Sequence, residues 1–141
     1  MSIVRGYASL TELFADSALV VQAVPTGAVQ HVPADQDGRG PVPASVTTVR
    51  VEQVLAGTAA AEIAVRQVVG GVCPREVPLR VAASYVLFLK FADRVPTGEY
   101  VIVGTQGAYE VVGDVLQLAS ANAGDLPATV LRAELDALVR S

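Results

Sequence analysis

Ser84-Tyr85-Val86-Leu87-Phe88-Leu89-Lys90-Phe91 reads as a strand with apolar side chains on both faces. Such a strand has to be covered. Around it, 81–118 has the pattern of an antiparallel meander. Pro96-Thr97-Gly98 turns a corner, 100–104 returns, Gln106-Gly107 breaks the run, and 109–112 and 115–118 follow. Val112 and Val115 flank Gly113-Asp114, a two-residue hairpin connection in which the glycine takes positive φ. No catalytic signature or metal-ligand set stands in the sequence, so it speaks of architecture more than of activity.

A chain of 141 residues is one domain's worth and long enough to bury a core. With 52 % hydrophobic and 17 % charged residues it has the composition of a globular protein, not of a disordered one. Tryptophan is absent and aromatics make up 5 %, so valine, alanine and leucine must form the core. The net charge of −4 and the lack of any basic run argue against nucleic acid, because phosphate is neutralised by clustered lysine and arginine. No apolar stretch approaches the roughly 18 residues of a membrane span. The first residues, Met1-Ser2-Ile3-Val4-Arg5-Gly6-Tyr7, lack the apolar centre of a signal peptide. The expectation is a cytoplasmic protein or a trimmed form of an exported one, with no cofactor.

Ser9-Leu10-Thr11-Glu12 fits a capping box, which opens a short helix with Leu10, Leu13 and Phe14 on one face and an end near Asp16. A strand follows over 18–25. From Pro25 to Ser45 the chain holds three further prolines and glycines without periodicity. At about twenty residues it is long for a connection, which marks a binding loop or a hairpin end. His31, Asp35, Asp37 and Arg39 lie there. His31 has no second histidine or cysteine beside it, and the two aspartates would supply a metal site only in part.

Alternation in 45–55 puts Thr47, Val49 and Val51 on one side, with Val46, Thr48, Arg50 and Glu52 on the other. Gly57-Thr58 turns the chain into a strand over 62–69, where Ile63 and Val65 oppose Arg66. In this hairpin Arg50, Glu52 and Arg66 share a face, with Glu52 opposite Arg66, or Arg50 opposite Arg66 after a two-residue slip. The trio is either an anion-binding patch or a solvated face with ordinary ion pairs. Cys73, the single cysteine, sits in a loop as a redox or nucleophilic thiol near Arg75 or as an incidental small hydrophobe. Beyond the meander a helix is expected over about 126–140. Its Leu131, Leu135 and Leu138 pack on the sheet or into a partner's groove, the sheet being the better fit, and Asp136 pairs with Arg140.

The order of these pieces resembles a family of small exported actinobacterial domains of unknown function. The residues that carry the likeness are Leu19-Val20-Val21, the run from Thr48 through Val49-Arg50-Val51-Glu52 to Gly57, Val65-Arg66-Gln67, Ser84 to Leu89, Gln106-Gly107 and Val112-Gly113-Asp114-Val115. The resemblance covers about 10–118. It implies a mainly β fold: a small closed or partly open OB-like barrel of 6–7 antiparallel strands over about 9–118, similar to the barrel of tissue inhibitors of metalloproteinases. A short N-terminal helix and a C-terminal helix pack on it. The inhibitors' mechanism does not carry over, because it uses an N-terminal cysteine and this chain begins Met1-Ser2.

The expected function is a non-catalytic interaction or scaffold domain of an exported or envelope-associated protein, binding another protein or an envelope component. Its contact surface is the 25–45 segment with Arg50, Glu52 and Arg66. One alternative is a hydrolase or thiol enzyme using Cys73 with His31, which requires the two within hydrogen-bond reach. Another is a polysaccharide-binding barrel.

Overall fold

The computed structural model describes residues 10–32, 44–68, 79–91, 99–102, 107–119 and 128–140. These residues form a short helix, eight strands in one sheet, and a terminal helix: α1 (Leu10–Ala15), β1 (Leu19–Val32), β2 (Ala44–Ala56), β3 (Glu62–Val68), β4 (Tyr85–Phe91), β5 (Glu99–Ile102), β6 (Ala108–Val112), β7 (Val115–Leu118), β8 (Thr129–Leu131) and α2 (Arg132–Arg140). The strand order is β1-β2-β3-β5-β4-β6-β7-β8, and β1 pairs with β4 as well as with β2. Followed from strand to strand, the pairings β1-β2-β3-β5-β4 therefore return to β1.

β4 earns its central place through its two apolar faces. Tyr85 to Leu89 are all buried. Tyr85, Leu87 and Leu89 enter an inner cluster with Leu19, Val21, Ala23, Val49, Ile63, Val65, Ile102 and Ala108. Val86 and Phe88, which point the other way, join an outer cluster with Leu13, Val20, Tyr109, Leu116, Val130 and Leu135. Period-two alternation sorts one strand between two cores. Phe88 meets Tyr109 edge to face at 6.3 Å between ring centroids. Burial pushes the Tyr109 hydroxyl up to about 12.

Several expectations change. The described residues form eight strands rather than 6–7, and they are not all antiparallel: β3 and β5 run parallel, Ala64 opposite Glu99 and Arg66 opposite Val101. Nor is 81–118 a simple meander. β4 gives Tyr85–Leu87 to β6 and Leu89–Phe91 to β5, so β5 lies toward β3 instead of between β4 and β6. The extra strand is β8, taken from what reads as helix. Val130 is buried opposite Leu116, and backbone bonds from Leu118 N–H to Ala128 O (2.8 Å) and from Arg132 N–H to Asp114 O (2.9 Å) hold the segment against β7. Tertiary pairing overrides the leucine period, and Leu131, just ahead of α2, stands 51 % exposed. Glu134 accepts the Leu131 N–H at 3.3 Å, the back-reaching half of a capping box at the true start of α2. Asp136 takes Arg132 at 3.1 Å in the i,i+4 pair predicted for Arg140.

The β2–β3 register also moves. Arg50 faces Glu62 and Val46 faces Arg66, because β2 runs on to Ala56 and five residues, 57–61, turn the chain. Gly57 makes that turn at φ +89°, with the position of a would-be Cβ only 2.8 Å from Ala18 O. The expected capping serine, Ser9, lies outside the described residues, while Leu13 of α1 is fully buried as its spacing requires. No helix of the described residues is long and apolar enough to cross a membrane.

Candidate functional site

Half of the expected 25–45 loop is strand. β1 continues to Val32 and pairs with β2 through Val29–Thr47, Gln30–Val46, His31–Ser45 and Val32–Ala44. Pro25 and Gly27, which read as breakers, are absorbed by a bulge. Pro25 faces Val49 and Val29 faces Thr47, leaving Thr26, Gly27 and Ala28 opposite Thr48 alone. Thr26 fixes the bulge, its hydroxyl donating to Thr48 O at 3.1 Å and accepting the Ala28 N–H at 3.3 Å.

The bulge raises one wall of a dish of about 460 Å³ on the sheet face opposite the inner cluster. Val46 and Thr48 of β2 and Ala64 of β3 form the floor, Ala28, Val29 and Gln30 of β1 one wall, and Glu99 of β5 the far rim. Register explains the grouping: Gln30–Val46, Thr48–Ala64 and Ala64–Glu99 are cross-strand neighbours, and neighbours directly opposite share a face. Next to the rim, Arg66 and Glu99 form an ion pair at 3.4 Å, with side chains only 13 % and 14 % exposed. A largely desolvated pair of this kind fixes geometry more than it adds stability.

The predicted trio is thus divided. Arg66 joins the dish through Glu99, Arg50 is exposed opposite Glu62, and Glu52 belongs to a separate polar assembly. There the Ser84 hydroxyl donates to Glu52 at 2.7 Å, and the Gln22 amide donates to Glu52 at 3.3 Å and to Ser84 at 3.2 Å. Arg132 of α2 donates to the Gln22 carbonyl, to the Gln53 carbonyl at 2.9 Å and to Asp136 at 3.1 Å. Both assemblies offer hydrogen bonding and ion pairing. Asp35, Asp37, Arg39 and Cys73 lie outside the described residues, and His31 is placed only by its backbone opposite Ser45. Glu99 and Arg132 went unforeseen: one meets Arg66 through a parallel pairing and the other reaches 110 residues back along the chain. Among the described residues no group of three His, Cys, Asp or Glu side chains could hold a metal ion.

Two aromatic side chains stand apart. Phe91 stacks on Tyr100 with centroids 5.3 Å apart and is 58 % exposed. Compared with known proteins, the chain matches no family and no curated protein.

Proposed function

We propose that the chain is a non-catalytic interaction domain of an exported or envelope-associated bacterial protein, with the dish on β1–β2–β3–β5 as its contact surface. The partner is another protein or an envelope component. In this reading the returning circuit β1-β2-β3-β5-β4 is a small OB-like barrel. The observation that carries it is the dish itself: a concave face of small and aliphatic side chains with a few polar groups, built by a bulge where a plain hairpin would lie flat. The absence of clustered positive charge on a chain of net charge −4 favours protein over nucleic acid.

Ala64→Arg would fill the floor, Val29→Glu would place charge on its exposed wall, and Ala137→Arg on α2 serves as a control. Each variant is checked by circular dichroism and used as bait against envelope fractions. The expected result is a partner recovered by the wild type and by Ala137→Arg, and lost with both dish variants. Equal recovery by all four proteins would remove the dish from the account.

A further inference from the structure

We propose that α2 is a latch, a helix that leaves the sheet as a unit and is held shut by the three-way grip of Arg132. Two independent features lead there. At the first turn, the Arg132 guanidinium spans three acceptors on three elements: Gln22 of β1, Gln53 of β2 and Asp136 of α2 itself. At the last turn Val139 rests half-buried against the outer cluster, and beside it a cleft of about 240 Å³ opens between Gln53, Val54 and Leu55 on one side and Asp136, Val139 and Arg140 on the other. The helix is clasped by hydrogen bonds at one end and flanked by a cleft at the other.

What lies between is slight. Leu135 is the one side chain of α2 that is fully buried, Leu138 and Val139 are half-buried, and Ala133, Glu134, Ala137 and Arg140 face solvent. Release strands no buried charge. Gln22 and Gln53 are neutral and reach water, and Arg132 and Asp136 are already 22 % and 37 % exposed. Nine residues do not hold a helix alone, so leaving the sheet and unwinding are one event. That event uncovers the outer cluster above Val20, Val86 and Phe88 while the inner cluster stays closed.

Amide hydrogen exchange on the whole chain, read by mass spectrometry, tests this. In the wild type, amides of 135–139 should be protected at least about tenfold less than those of 86–88. Arg132→Gln should speed exchange of α2 by a further tenfold or so and leave 86–88 unchanged. Arg132→Lys should not restore the wild-type value, since one ammonium cannot span three acceptors. Equal protection of α2 and β4 in the wild type would overturn the latch. So would an Arg132→Gln variant in which both speed up alike or neither does.

Discussion

The two clusters that β4 separates are closed by different means. The inner one is lined mainly by five strands whose pairings come back on themselves, with Ala108 of β6 added at the edge, so each of the five is hydrogen-bonded to at least two others. The outer one rests on β1 and β4 of that circuit and draws its other side chains from α1, β6, β7, β8 and α2, of which only β6 pairs with the circuit. Both hold fully buried leucines, yet the inner side chains sit on backbone that cannot yield without breaking ladders. The outer side chains sit partly on elements that can shift. Burial alone therefore does not rank these positions; what each residue is fastened to does.

The sharpest way to break that contrast is a pair of truncations. Leu87→Ala, in the inner cluster, should destabilise by about 4 kcal/mol, toward the upper end for leucine, because the surrounding strands cannot collapse onto the void. Leu135→Ala, equally buried, should cost about 2 kcal/mol because α2 can settle inward. Urea melts compare them, and equal losses would erase the distinction.

Alkali addresses the outer cluster through Tyr109. Its folded pKa of about 12 lies above the unfolded value near 10, so the native state keeps its proton longer. The stabilisation is full below pH 10 and disappears as pH rises toward 12, a loss on the order of 2 kcal/mol. Tyr109→Phe should flatten that stretch of the stability–pH curve, and an unchanged slope would show that other groups set it.

The smallest effect contrasts two turns. Gly57 and Gly113 both have positive φ, but an added Cβ at Gly57 meets Ala18 O at 2.8 Å, and at Gly113 it meets nothing within 4 Å. Gly57→Ala should cost about 2 kcal/mol and Gly113→Ala about 1 kcal/mol, the latter from backbone strain alone. Thermal melts of the two variants would tell them apart.

How far the sequence could be read follows the same division. β4 was legible because an unbroken apolar run can only be covered twice, and the Gly113-Asp114 hairpin because the turn advertises itself. The reach of β1 was not, since Thr26 to Val32 carries Gly27 and no alternation, and its strand character comes from β2 lying alongside. The β2–β3 register slid because Gly57-Thr58 resembles a tight turn while five residues make it. Of the candidate site, Arg66 was found and its partner Glu99 was not. A parallel pairing between segments more than thirty residues apart leaves no local trace.

The double attachment of β1 has a consequence for how the chain comes to be folded. Leu19 to Ala23 find Tyr85 to Leu89 on one side and β2 on the other. During synthesis β1, β2 and β3 can zip together early, yet the ring stays unfinished until β4 and β5 have emerged. Through that interval a valine-rich strand presents an unsatisfied border. Assembly is thereby tied to contacts distant along the chain, a topology that folds in milliseconds to seconds rather than microseconds.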